Sequence, residues 1–562
     1  MGKRKNKVDR KNVLALLTLP VFFLLFAKLA YLQIFLHKKI NCVVDKMINR
    51  ENVEISKRGD ILDVRGNILA TSIKNYTIFL DAKMIEDFET LKKVFDENGI
   101  RIKQKNLCDL KNMSYVPVAF NVDSFTAGKI KKAKLKGVGF ETKYTRCYPQ
   151  GRLLSNILGI TGCDDTGLEG VEKICNAELA GETVKTKIIR DGRGHIIRNQ
   201  LLDTDDICGS NVVLTIDINI QFIVEQEMRK AFEKYKATKA VCIVQDPQTG
   251  KILAMVSLPD FDHSDKTKNM KYLRNSAIVD IYEPGSTFKI VTVASALEEG
   301  RVKTSDALYL ENGRFKIAGH VIKDDHKVEG SVGLSRAFEL SSNIGMIKIA
   351  QKLGADLFYK YIRKFGFYSL TGIDLPGEAK GILMDVKKWN ALTLPNISFG
   401  QGIGVSALQV VNAFSAVANG GVLMKPFVIQ KIIKHNCEEK VFDKKEIRRV
   451  ISEDTALIVR KLLKNVIDSG TGKSAKVRGY TTGGKTGTAQ KVDPVSKTYS
   501  TRYYTASFCG MLPAMNPKFV VLVVIDEPKG CSYYATSVAS PVFASISKRI
   551  AEYLCIEKDD IN

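Results

Sequence analysis

Residues Val13 to Phe35 form an apolar run broken only by Lys28 and a few small or polar residues, and Lys3, Arg4, Lys5, Lys7, Arg10 and Lys11 stand just ahead of it. Crossing the hydrocarbon core of a bilayer takes about 20 apolar residues, and there only a helix satisfies its own backbone hydrogen bonds. The run therefore predicts one transmembrane helix over residues 13–35. Its basic flank predicts a cytoplasmic tail over residues 1–12 and export of everything that follows. Lys28, near the outer end, can snorkel to the interface. The rival is a cleaved signal peptide, against which stand the length of the run and the lack of a small-x-small cleavage site after it.

With 562 residues, 45% of them hydrophobic, the chain can fill two or three cores. The net charge of +24 implies an anionic partner or surface. No zinc-finger spacing, aromatic RNA-binding signature or dense basic block accompanies it, so the reading is no nucleic acid; membrane lipid and acidic wall polymers fit better. The eleven cysteines are scattered, odd in number and never paired as CxxC. That pattern argues against a disulfide framework and makes most of them small buried hydrophobes.

The texture of the exported part changes near residue 213, giving an N-terminal domain over 36–212 and a second over 213–562. In the first, Gly66 and Asn67 predict a hairpin turn. The Arg58–Ala70 and Tyr148–Arg152 segments read as structural tethers. In the second, Val212–Ile216, Ala240–Gln245 and Ile252–Ser257 are strand-like, and so are Thr505–Met511 and Phe519–Ile525. Helical spacing marks Ile220–Tyr235 and Pro541–Tyr553. Strands at both ends of a mostly helical middle predict an α+β domain whose terminal helices cover an antiparallel sheet.

Pro284 and Gly285 end what precedes them, and Phe288, Ile290, Val291, Ala294 and Leu297 recur at helical spacing, so Ser286 is expected in the first turn of a buried helix. Lys289 shares its face at i,i+3, where burial lowers an ammonium pKa enough for it to take a hydroxyl proton. A Ser-x-x-Lys alone is common. Downstream, Ser341-Ser342-Asn343 gives Ser-x-Asn in a short turn between helices, and Lys485-Thr486-Gly487-Thr488 lies on a strand-like segment. This ordered set is specific for serine acyl transfer.

On these motifs the chain resembles a class B penicillin-binding protein, a monofunctional cell-wall transpeptidase of the division and sporulation branch. The resemblance extends to Arg58–Ala70 and Tyr148–Arg152 in that family's pedestal (dimerisation-type) domain, and to Asp246–Gly250, Phe399–Gly404 and Ala418–Pro426 in its catalytic domain. It implies a penicillin-binding/serine β-lactamase-like domain, an antiparallel five-stranded sheet plus a helical subdomain, on an elongated pedestal behind one membrane helix. It also implies a D-Ala-D-Ala transpeptidase or carboxypeptidase with catalytic residues Ser286, Lys289, Ser341, Asn343 and Lys485, and with Thr486, Gly487 and Thr488 binding the substrate. The expected partners are a peptidoglycan stem pentapeptide, β-lactams, membrane lipid, a membrane-embedded glycan polymerase and other wall-synthesis proteins; no cofactor is required. The expected role is crosslinking in septal or spore wall synthesis. A β-lactamase, a penicillin sensor and a non-catalytic divisome scaffold are the alternatives.

One pattern departs from the family. His320, Asp324 and His326 share a face if their segment is extended, and with Cys531 beyond the last strand they make a candidate tetrahedral zinc set at the site rim. The bland reading is a solvated polar loop.

Overall fold

The computed structural model describes residues 10–39, 49–54, 56–101, 115–181, 184–190, 196–199, 208–264, 272–493, 496, 498–530 and 532–560. These fall into two units, one of residues 1–56 and 182–208, the other of 57–181 and 209–562. In the first, a helix over Arg10–Ala30 continues as a π-helical turn over Tyr31–Phe35, and Leu16–Phe35 is long and apolar enough to cross a membrane. Strands Asn49–Glu54, Val184–Arg190 and Ile196–Asn199 form its small antiparallel sheet.

The second unit is built on a five-stranded sheet of β1 (Lys239–Gln245), β2 (Ile252–Leu258), β3 (Gly483–Val492), β4 (Tyr499–Leu512) and β5 (Phe519–Asp526), in the order β2-β1-β5-β4-β3. Every neighbouring pair is antiparallel. Side chains alternate across a strand. Val241, Ile243, Val520, Leu522 and Val524 therefore enter one core, while Ala240, Cys242, Val244, Val521 and Val523 enter the other. Helices cover both faces, which is why β1 and β5 read as unbroken apolar runs rather than alternating ones.

On one face lie α1 (Ile218–Lys234), capped by the Asp217 carboxylate, and the terminal helix Ala535–Tyr553. That helix begins upstream of the expected Pro541, which lies inside it. On the other face lie α2 (Lys289–Glu298), α3 (Asn343–Leu353) and α4 (Ala407–Ala418). Helix α4 is buried along its whole length and starts with a capping box between Ser406 and Gln409.

Residues 57–181 are joined to this body by a shared sheet. Strand Ile61–Leu62 pairs in parallel with Asn211–Leu214, which pairs with Ile429–Ile433. The expected turn is present: Gly66 has φ +86°, and the Asp63 carboxylate accepts from the Arg65 and Asn67 N–H groups. Both tether segments reach Glu172, the first through Arg58 and the second through Tyr148 Oη, 3.3 Å from its carboxylate. Its carboxylate accepts from Arg58 Nε at 2.7 Å and Arg146 Nε at 2.6 Å, all three groups being buried. Tyr148 stacks on His263 at 3.8 Å, and the His263 ring nitrogens meet the Gly151 and Gly159 carbonyls. Of the cysteines described, Cys175, Cys242 and Cys509 are buried, whereas Cys163, Cys437 and Cys555 are exposed, so burial accounts for fewer of them than expected.

Candidate active site

Gly285–Phe288 is a 3-10 turn that runs into α2 at Lys289, rather than the first α-helical turn expected for Ser286. A 3-10 turn has three residues per turn and eclipses i with i+3, so it aligns Ser286 with Lys289 more closely than an α-helix does. Gly285 has φ +55°, a left-handed conformation that favours glycine. Its N–H donates to the Gly400 carbonyl, which fixes the Phe399–Gly404 loop behind the turn.

The turn packs against β3. A Cβ on Gly487 would stand 2.8 Å from the Pro284 carbonyl oxygen and 2.5 Å from Ser507 Oγ. Only glycine lets this strand approach the Ser286 turn so closely. Strand β3 is also the sheet edge, so alternate backbone N–H groups along it have no sheet partner and are left for a ligand.

Lys289 and Lys485 are fully buried and converge on Ser341. Lys289 Nζ donates to Asn343 Oδ1 at 2.7 Å, to the Ser341 carbonyl at 2.6 Å and to Ser341 Oγ at 3.2 Å. Lys485 Nζ donates to the same Oγ at 2.8 Å. Burial pushes the Lys289 pKa down to about 7, with Asp324 and Asp325 opposing the shift. Burial and the Lys289 charge together hold Lys485 well below the usual lysine range. Ser341, between the helix Leu334–Glu339 and α3, has φ +57°, a left-handed backbone that costs a non-glycine residue about 1 kcal/mol or more.

Of the expected substrate-binding residues, Thr486 is buried, with Oγ1 3.4 Å from Thr471 Oγ1. Thr488 Oγ1 accepts from the Ala535 N–H at 3.1 Å, which ties the start of the terminal helix to β3. The structure thus brings together Lys289, Ser341, Asn343 and Lys485, with Ser286 on the turn that Gly487 packs against.

The metal set is not gathered in the same way. His320 opens the strand His320–Lys323, the chain bends after Lys323, and His320 and His326 are exposed, so the extended face on which the expectation rested does not form. The bend carries the Asp324 carboxylate inward, where it accepts from Ser342 Oγ at 2.5 Å and from the Asn343 and Ile344 N–H groups. Asp324 caps α3, a carboxylate at the positive end of a helix. Cys531 lies outside the described residues, and among the described residues no group of three or more His, Cys, Asp or Glu is assembled for a metal.

Sequence reasoning did not single out Asp324 as a helix cap, nor Tyr282 and Glu283 as part of a site wall. A carboxylate just ahead of Pro-Gly, in a segment destined for burial, was the available signal for Glu283.

An antiparallel five-stranded sheet covered by helices on both faces, with Lys-Thr-Gly on its edge strand and the Ser-x-x-Lys and Ser-x-Asn motifs on helical segments that meet it, defines the penicillin-binding/serine β-lactamase class of fold. The comparisons agree. Residues 240–548 match the family described as penicillin binding protein transpeptidase domain, and residues 54–214 match the penicillin-binding protein dimerisation domain. The chain is 33% identical to stage V sporulation protein D of Bacillus subtilis over 97% of its own length and 86% of that protein. It is 32% identical to the peptidoglycan D,D-transpeptidase FtsI of Buchnera aphidicola over 96% and 94%. Among solved structures, penicillin-binding protein 3 of Mycobacterium tuberculosis complexed with aztreonam is similar, with a TM-score of 0.70, 27% identity and 90% and 98% coverage. The chain belongs to the penicillin-binding protein transpeptidase family.

Proposed function

We infer that the chain is a peptidoglycan D,D-transpeptidase that crosslinks stem peptides through a serine acyl-enzyme. The observation that carries this reading is the convergence of two buried lysines on Ser341 beside the Ser286 turn. Ser286 Oγ attacks the carbonyl carbon of the penultimate D-Ala, and neutral Lys289 accepts its proton. The oxyanion is held by the backbone N–H groups of Ser286 and Thr488. The C–N bond breaks as Ser341, linked to Lys485, delivers a proton to the nitrogen of the departing D-Ala. Asn343 orients Lys289 and the substrate amide. Thr486 and Thr488, beside Lys485 and the closely packed Gly487, hold the terminal carboxylate. The amine of a neighbouring stem then attacks the acyl carbon, forms the new amide and frees Ser286; water in its place gives carboxypeptidase activity.

The chemistry uses groups the chain itself supplies and needs no cofactor. The zinc set of His320, Asp324, His326 and Cys531 is a separate proposal; metal analysis of purified protein with and without Cys531→Ala tests it, and zinc-free unmutated protein removes it. We place the protein in the cell membrane with its N-terminus cytoplasmic, and propose a tail over 1–12, a membrane helix over 13–35, a pedestal over 36–212 and a transpeptidase domain over 213–562. The names of the two relatives support a septal or spore-wall role, working with a separate membrane-embedded glycan polymerase. The test is a labelled penicillin followed by intact mass. A lasting adduct that Ser286→Ala abolishes is expected; rapid turnover would make the protein a β-lactamase, and no adduct a scaffold.

A further inference from the structure

Beside the nucleophile turn lies a cavity of about 790 Å³. Val241, Val524, Ile403 and Ala407 give it an apolar wall, while Tyr282 and Glu283 enter it from the segment that leads to Ser286. Strand β3 enters from the other side, since Ala489 and Gln490 line the cavity immediately after Thr488. The two approaches touch, because a Cβ on Gly285 would meet Ala489 Cβ at 3.3 Å.

Two polar atoms in this wall are orphaned. Tyr282 Oη and Glu283 Oε2 are buried, and neither has a hydrogen-bond partner among the described residues. Glu283 Oε1 is held in place, accepting from the Gly402 N–H at 2.9 Å and Tyr499 Oη at 3.2 Å. The other charges of the wall are matched. Asp280 pairs with Lys239 and Arg274, and Asp526 pairs with Lys491. Glu283 alone is a wall carboxylate without a cation among the described residues, and burial pushes its pKa up. A buried acceptor with nothing to accept from is a standing cost that a ligand removes. An apolar wall ending at such a carboxylate fits a flexible aliphatic chain ending in an ammonium.

We propose that this cavity receives the amine-bearing side chain of the donor stem peptide, its methylenes against the apolar wall and its ammonium on Glu283 Oε2. The proposal rests on the transpeptidase reading above. Crosslinking needs an amine on the acceptor stem, and donor and acceptor stems come from the same polymer, so the donor carries that amine too. With the donor carboxylate on Thr486 and Thr488 and its carbonyl at Ser286, its preceding residues run on along β3 past Thr488, to the cavity mouth. Docking there keeps the donor's own amine away from the acyl-enzyme while the acceptor's amine approaches.

The test measures the donor step alone. Detergent-solubilised full-length protein is given a stem pentapeptide with lysine at the amine-bearing position, or one with norleucine, which keeps the methylenes and lacks the amine. Acyl-enzyme formation is followed by intact mass without an acceptor. The unmutated protein is expected to acylate from the lysine peptide at least tenfold faster in kcat/KM, the size of one charge-assisted hydrogen bond. Glu283→Gln, which keeps the acceptor for the Gly402 N–H, is expected to bring the ratio close to one. Acetylating the lysine should do the same on the unmutated protein, so the test stands even where the variant fails to fold. Equal rates for the two peptides, a preference that survives in folded Glu283→Gln, or a preference seen only when an acceptor is added would overturn the subsite and leave the transpeptidase intact. If neither peptide nor penicillin acylates Ser286, the transpeptidase reading falls and the subsite falls with it.

Discussion

The pH dependence of acylation tests the site most directly, because it follows from one buried ammonium. Lys289 is fully buried, and its pKa falls from 10.5 to about 7, chiefly through desolvation. If neutral Lys289 takes the Ser286 proton, the competent fraction is roughly a tenth at pH 6 and nine tenths at pH 8, so kcat/KM for penicillin acylation should rise about tenfold and level off. A solvated lysine of ordinary pKa would instead give about a hundredfold climb with no plateau. Stopped-flow mixing with a fluorescent penicillin from pH 5.5 to 9 separates these profiles. A climb without a plateau would sink the buried-base argument, and a flat profile would remove Lys289 as the base. Stability should move too. The folded-state pKa lies below the unfolded one, so the folded chain binds fewer protons between about pH 7 and pH 10.5. The burial cost, on the order of 5 kcal/mol from that shift, is present in full below about pH 7 and is relieved as pH rises through the window. Thermal unfolding should therefore show a stabilising slope there, which Lys289→Met reduces and the buried Lys485, its pKa likewise lowered, sustains in part.

Two substitutions test the framework around the site. Gly487→Ala puts a Cβ 2.8 Å from the Pro284 carbonyl oxygen; overpacking of this kind costs about 1–3 kcal/mol, and the displaced turn should lower the acylation rate by about a hundredfold, with unchanged adduct kinetics refuting the close-approach argument. Glu172→Ala leaves Arg58 and Arg146 buried without their carboxylate; the loss should be about 3–5 kcal/mol in denaturant unfolding, and a change below about 1 kcal/mol would mean that the pedestal side chains rearrange into water.

The apolar runs of β1 and β5 and the turn at Gly66 were legible in the sequence because each is a local pattern with one physical cause. The motif residues were legible as a set, although their convergence was not: Ser341 is brought to Lys289 by the packing of α2 on α3, and to Lys485 by the sheet edge. Asp324 shows where local reasoning ends. Its neighbours His320 and His326 suggest a ligand set if the backbone is extended, yet its observed partners are Ser342 and the N–H groups of Asn343 and Ile344. Nothing in the spacing announces that a helix end in need of acceptors will arrive there. The start of the terminal helix was missed for a similar reason. Pro541 looks like a boundary, whereas the chain is already helical from Ala535, whose N–H is satisfied by Thr488.

Helix cap, strained serine and buried lysines belong to one energetic argument. Two ammonium groups out of water need acceptors, and a right-handed helical residue has its carbonyl committed along the helix axis. The left-handed backbone of Ser341 frees that carbonyl, so that carbonyl and hydroxyl both meet Lys289 while the hydroxyl also meets Lys485. The geometry holds only while α3 starts immediately afterwards, and Asp324 with Ser342 secures that start by accepting from its first N–H groups. Glycine at 341 would relieve the backbone and remove the shared hydroxyl; an apolar residue at 289 would relieve desolvation and remove the proposed base. The routes to a more stable site therefore run through the groups to which the proposed chemistry falls, the trade-off between stability and activity expected where strain and buried charge are concentrated for chemistry.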